Sequence, residues 1–446
     1  MTRFLPTCAP ALRLTRAFLG VRRQPAVNVS LTPRFSGVLR EPTDALIVST
    51  VSTLGKTVET VLPSPAAAIT LLKQGVNGKY TSRRSLGGAA TGLAFLLAVT
   101  ACLTASAAPG ETPAAPPPAA NQRDLVKVDA RTEEIIKGAL KYLADKQSPN
   151  GSWGTTGEEA NRRIAMTGYT LMAFLAAGQL PGEGEYGRQV AAGMQFLLDQ
   201  TQPDGIIGSR NDGQYMYAHG ICTIALAELY GQTRSPSIKA KLQRIVSLIV
   251  AAQSKEGGWR YRPVSQDADI SVTVLSLVAI RAAKNAGLEV PQRTIDDGVK
   301  YVKRCYDRRS GGFCYQPNAS PGFARTSAAI YSLQVCGLYD DEMVKTGSEY
   351  LLKSMTEKRS EQKEWFTYGH FYAAPAQYMV GGETWKRWYE SIHAVLLQDV
   401  QVDKGRGWAY WEPRRDRGRE VGPTFCTAVY TMILSMPYHY IPLYQR

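Results

Sequence analysis

Residues 253–283 read QSKEGGWRYRPVSQDADISVTVLSLVAIRAA: a glutamine, a glycine pair with Trp259, a polar bend ending at Asp269, and a long apolar run. The glycines let the chain turn sharply, since glycine enters φ > 0 without steric cost. Before the loop, residues 245–252 have an amphipathic period; after it, residues 270–283 are apolar on most faces. That order predicts an outer helix, a loop, and then a buried inner helix. The same phrase recurs outward from this stretch. Gln147, Gln200 and Gln253 lie 53 residues apart, and Gly311-Gly312-Phe313 comes 54 residues after Trp259. A looser loop lies at 365–368, and a sixth is Gly405-Arg406-Gly407-Trp408. A repeat of this length is one supersecondary unit used several times, each burying its apolar face on its neighbours. Six helix pairs fit residues 131–446, and closing them into a ring hides the apolar ends of the stack. The expected fold is all-α, a single (α/α)6 toroid, with the loop aromatics covering helix ends and the glutamines satisfying orphan backbone groups.

Glutamine, glycine and an aromatic ahead of an inner helix resemble the QW-type repeats of the squalene cyclase and protein prenyltransferase β-subunit superfamily. The tail, from Tyr368-Gly369-His370 through Gly381-Gly382-Glu383 to Val421-Gly422-Pro423, is similar to exported bacterial members. The resemblance implies a central cavity that takes isoprenoid chains, and for an active cyclase an Asp-x-Asp-Asp motif whose middle acid protonates an alkene or epoxide. The nearest match is Asp267-Ala268-Asp269-Ile270, which makes Asp269 the candidate general acid and Asp267 its partner, with Ile270 in place of the last acid. An aspartate ahead of an apolar helix is also a favoured N-cap. A prenyltransferase would need zinc, yet His219, His370, His393 and His439 have no metal-ligand spacing and no Cys-x-x-Cys pair exists. No cofactor or metal is expected. A thioester domain would need Cys-Gly-Glu-Gln, and Cys336-Gly337-Leu338 stops short of it.

Inner helices of like-handed repeats begin at one rim, where His219, Asp269, Arg325, His370 and Thr424 gather; Asp269 and Arg325 could pair across that mouth. Tyr215, Tyr217, Tyr261, Tyr315, Tyr368, Tyr372 and Tyr410 lie in or beside the same loops. An aromatic cavity with a few convergent polar groups is a ligand site by default, with helix capping as the plainer reading.

The front of the chain is different. Residues 1–77 have little sign of a domain, and 78–108 read as a signal peptide or membrane anchor. Lys79, Arg83 and Arg84 precede the charge-free run 86–108, which ends in Ala105-Ser106-Ala107. Cys102 closes a lipoprotein-like box, so membrane association would come from that run or from a lipid on Cys102. Residues 109–130 are a Pro/Ala-rich linker. Of the formal charge of +14, the first 108 residues carry +9, from 12 basic and 3 acidic side chains. The basic balance is therefore not a property of the toroid, which argues against nucleic acid as a partner. Five cysteines in the toroid, without regular spacing, argue against a disulfide framework; Cys305 and Cys314 flank one loop and could pair.

Two functions follow. One is an exported toroid that binds an isoprenoid-like or peptide ligand in its central cavity without turnover. The other is a terpene cyclase or isomerase with Asp269 as acid and aromatic faces stabilising the cation. Polysaccharide processing, known on other (α/α)6 folds, lacks a carboxylate pair of its own here.

Overall fold

The computed structural model describes residues 125–209, 215–263, 266–356, 365–414 and 421–445, all within the unit Gly110–Arg446. Residues 1–77, the expected export signal or anchor at 78–108 with Cys102, and most of the 109–130 linker lie outside the described residues. Among those described, no helix is long and apolar enough to cross a membrane.

The outer helices are α1 (Ala130–Asp145), α4 (Gly187–Gln200), α6 (Pro236–Ala251), α8 (Gln292–Arg304), α10 (Glu342–Thr356) and α12 (Gly382–Asp399). The inner helices are α3 (Arg163–Ala176), α5 (Tyr215–Thr233), α7 (Ile270–Asn285), α9 (Phe323–Val335), α11 (Phe366–Val380) and α13 (Pro423–Ser435), and a one-turn helix α2 (Gly157–Ala160) precedes α3. Periodicity sorts the two layers. Helix α7 is buried at every position from Val272 to Ile280, whereas α8 buries Thr294, Ile295, Gly298, Tyr301 and Val302, one stripe at helical spacing.

Each inner helix packs on the next, from α3 through α5, α7, α9 and α11 to α13, and α13 returns to α3. The ring is closed. Small residues bring its inner wall together: a Cβ on Gly220 would sit 2.4 Å from Leu275 Cγ, and one on Gly168 3.1 Å from Cys222 Sγ. Contacts this close leave no room for a methyl group in an interior packed to native density.

The repeat phrase has a definite hydrogen-bond chemistry. Gln147 Nε2 donates to the Gly151 carbonyl across its own loop (2.9 Å) and to the Gln189 carbonyl in the first turn of the next outer helix (2.8 Å). Gln253 does the same to Gly257 (2.7 Å) and Thr294 (2.9 Å). The indoles of Trp153, Trp259 and Trp411 donate to the carbonyls of Leu143, Ile249 and Leu396 near the end of the preceding outer helix. The loop aromatic's own N–H donates to a threonine on the following inner helix: Trp153 to Thr167, Trp259 to Thr273, Phe313 to Thr326, Trp411 to Thr427. The sixth repeat departs from the sequence expectation. Residues 401–403 and 408–410 form a hairpin, β1 and β2, so Trp408 is drawn onto α1, where its indole donates to Asp145 Oδ2 (2.8 Å). Trp411, three residues later, takes the repeat position instead.

Closure joins the first elements to the last. Helix α1 packs on β2 and on α13 far more than on the inner helix that follows it. Glu159 of α2 is buried, and its Oε1 accepts the N–H groups of Thr424 (2.8 Å) and Phe425 (3.2 Å) in the first turn of α13. These are orphan donors at a helix N-terminus, where a carboxylate is favoured twice over. Thr132 Oγ1 meets His393 Nε2 at 2.7 Å in the same seam. Glu159→Ala is expected to cost about 2 kcal/mol by stranding buried donors, with Glu159→Gln, which keeps an acceptor, costing less; urea unfolding of the two variants measures the difference.

Candidate functional site

Main-chain pairing builds the rim. The carbonyl of Tyr261 accepts the N–H of Met216 at the start of α5 (3.2 Å), and the carbonyl of Tyr315 accepts that of Ile270 at the start of α7 (3.0 Å). Each loop thereby serves the preceding inner helix and carries its tyrosine side chain to the rim. Asp269 is held in the same way, its N–H donating to the Trp259 carbonyl (3.1 Å) in an isolated antiparallel bridge. That bridge sets residue 260 beside residue 269.

Asp269 has no exposed surface. Its Oδ1 caps α7 by accepting the Val272 N–H (3.0 Å), and its Oδ2 lies 3.3 Å from Arg260 Nη1. Arg260 Nε is 3.6 Å from Asp267, which is largely in water. The guanidinium also lies 5.0 Å from the ring centre of Tyr261 and 5.8 Å from that of Tyr315. The Tyr261 and Tyr315 hydroxyls pair with each other, and Tyr217 lies against Tyr261 with centroids 5.9 Å apart. Tyr368, near enough to Tyr217 and Asp269 for their charges to oppose its ionisation, completes the group. These four tyrosines and Arg260 are partly exposed, so they form a mouth above a buried acid. The floor is aromatic and closed: Tyr169 meets Phe371 (5.1 Å) and Phe425 (4.9 Å), and Tyr372 meets Phe371 (4.8 Å) and Tyr368 (5.1 Å).

Burial pushes the Asp269 carboxyl up to about 6, against the opposing pull of the Val272 N–H and Arg260. Burial likewise lifts the Tyr217, Tyr368 and Tyr372 hydroxyls well above their ordinary range, so they stay protonated. Arg260 already lies over the rings of Tyr261 and Tyr315, and both Asp269 oxygens are engaged. Among the described residues no group of three His, Cys, Asp or Glu is placed to hold a metal ion.

Several residues expected at the mouth are elsewhere. Arg325 does not pair with Asp269; it donates to the Ser320 carbonyl in its own loop (2.7 Å), and Arg260 is the cation beside Asp269. His219 faces outward, its Nε2 accepting the Ile207 N–H (3.1 Å), the task threonine performs in four other repeats. His370 also faces outward, packed against Phe366 (4.4 Å), Phe323 (4.9 Å) and Trp388 of outer helix α12 (5.7 Å). Burial lowers His219 to about 4 and His370 to about 3. Tyr410 stacks on Tyr142 in the α1 seam (4.9 Å), and Tyr372 lies in the floor rather than the mouth. Cys305 and Cys314 are buried free thiols. Sequence reasoning missed Arg260 and Tyr169. Arg260 stood in the quoted phrase, and pairing Trp259 with Asp269 across the bend would have found it.

The sequence matches the prenyltransferase alpha-alpha toroid domain over residues 120–292 and 269–383. The chain belongs to that family. No curated protein matches the sequence of this toroid. Solved structures similar to it include an inactive variant of the α-1,6-mannanase of Salegentibacter sp. HEL1_6 (8% identity, TM-score 0.52, 69% of this chain and 99% of that one). Others are a sugar epimerase from a ruminal bacterium (12%, 0.51, 69% and 97%) and the cellobiose 2-epimerase of Spirochaeta thermophila DSM 6192 (14%, 0.50, 69% and 95%). Identities this low show a shared fold alone.

Proposed function

We propose that this toroid is an exported binding protein for an apolar, isoprenoid-type ligand, held without turnover at the tyrosine mouth of the hub. One observation carries the reading: four half-buried tyrosines and Arg260 surround an acid whose two oxygens are already engaged. Aromatic walls reward burial of a hydrocarbon chain, and their hydroxyls tolerate a polar head. A general acid needs a free proton to give, whereas Asp269 caps a helix, faces a guanidinium and lacks the neighbouring acid that Ile270 replaces. Export is read from the charge-free run at 86–108, and fractionation of cells expressing the full chain tests it.

Titrating the purified full chain with geranylgeraniol and with squalene, followed by intrinsic fluorescence, tests binding. Saturable binding is expected, weakened about tenfold by Tyr217→Ser, the scale of one lost ring contact. Mass spectrometry of the same mixtures should show unchanged isoprenoid. A cyclised product that disappears in Asp269→Asn would establish the cyclase reading instead, and absence of both binding and product removes isoprenoids as ligands.

A further inference from the structure

The floor of the hub holds two hydroxyls that the fold itself leaves unused. Tyr368 and Tyr372 stand one turn apart on α11, on the face opposite the outward-facing His370. Their rings meet edge to face at 5.1 Å. Tyr372 also lies 6.3 Å from Tyr331 of α9 and 4.8 Å from Phe371, which meets Tyr169 of α3. Rings from three inner helices therefore converge here. Tyr372 has no exposed surface and Tyr368 is half-buried. Among the described residues neither hydroxyl, itself buried, has a hydrogen-bond partner. Buried hydroxyls are ordinarily paired, because a stranded one has lost its bond to water for nothing in return. A bond from one tyrosine to the other would use one proton and leave the second O–H to give.

The surroundings of this pair select what it can receive. Burial keeps both hydroxyls protonated, so they are donors, and Asp269 is near enough to Tyr368 to oppose a further negative charge. Arg260, beside the mouth, is already taken up by Asp269 and by the rings of Tyr261 and Tyr315. An anion at the floor would give up its hydration for no counter-charge. An uncharged oxygen loses far less and accepts the spare protons. We propose that the ligand enters head first and carries an uncharged oxygen, as on a prenyl alcohol, that accepts hydrogen bonds from Tyr368 and Tyr372. This head group rests on the isoprenoid-binding reading and sharpens it: the hydrocarbon tail trails past Tyr217, Tyr261 and Tyr315 at the mouth, and a prenyl diphosphate is excluded.

Three ligands of one chain length test this on the full chain: geranylgeraniol, the same chain with hydrogen in place of its hydroxyl, and geranylgeranyl diphosphate. Each is titrated by intrinsic fluorescence. The alcohol is expected to bind about tenfold tighter than either of the others, the scale of one or two buried hydrogen bonds. Tyr372→Phe and Tyr368→Phe should each remove most of that tenfold advantage and leave the hydrocarbon's affinity unchanged. Neither hydroxyl has a partner to lose, so both variants should melt at or above the wild-type temperature; either serves if the other folds poorly. Phenylalanine variants that weaken alcohol and hydrocarbon alike, or a diphosphate that binds as tightly as the alcohol, overturn the head group while the isoprenoid reading stands. Failure of all three ligands to bind the wild type overturns both.

Discussion

Trp259→Ala is expected to cost about 3–5 kcal/mol, the largest loss from any single substitution at a repeat loop. The side chain is fully buried. Its indole N–H donates to the Ile249 carbonyl (2.7 Å), and its ring edge lies where a Cβ on Gly298 of α8 would come within 3.1 Å. One residue therefore fills the space between the end of α6, the start of α7 and the face of α8. Deleting it opens a cavity whose walls are rigid helices, so collapse is partial, and it leaves the Ile249 carbonyl without its donor. Trp259→Phe separates the two effects. Phenylalanine serves at the equivalent place in the next repeat as Phe313, so this variant should keep most of the packing and lose the hydrogen bond, costing about 1–2 kcal/mol. Urea unfolding followed by far-ultraviolet circular dichroism gives both numbers, and equal losses would show that packing contributes little.

The second large effect is linked to pH through His219. Its Nε2 must accept the Ile207 N–H, so the ring is neutral in the fold, and burial holds it near 4 against an ordinary 6.5. Unfolding lets it take up a proton below pH 6.5. The sign follows: the contribution is whole above about 6.5 and is lost progressively as pH falls toward 4. The loss approaches about 3 kcal/mol, at roughly 1.4 kcal/mol for each pH unit. The wild-type profile alone does not reveal it, because Asp269 and Glu228 are raised by burial and act in the opposite sense over nearly the same range. A difference does. His219→Gln retains an acceptor and does not titrate. Its stability relative to wild type should therefore rise by up to about 3 kcal/mol between pH 7 and pH 4; parallel curves for the two proteins would exclude the histidine as the source.

The ring was legible in the sequence because its chemistry is local. Gln253, Gly257 and Trp259 make their bonds within one repeat and its neighbour, so a 53-residue period carries the whole architecture. The mouth was legible only in part. Asp269 could be placed from its position before an apolar run, but its cation could not, because Arg260 and Arg325 are equally near in repeat register and only the Trp259–Asp269 bridge chooses between them. The start of an inner helix sets the height of His219 and His370 but not the face they present. Both stand where Thr167, Thr273, Thr326 and Thr427 stand in other repeats, pointing away from the hub. Trp408 misled for a different reason: the β1–β2 hairpin shifts the sixth loop by three residues, which no period of glycines reveals.

The carboxylate of Glu159 meets the N–H of Thr424 across 265 positions of chain. During synthesis α1, α2 and one flank of α3 must therefore wait for almost the whole domain before their partners emerge. Until then a nascent arc of helices presents two sticky flanks, one on α3 and one on the latest inner helix made. Such an arc invites pairing with another growing copy as readily as with its own distant end. Slow maturation, and a need for holding factors until the last helix arrives, follow from building a wheel out of a single thread.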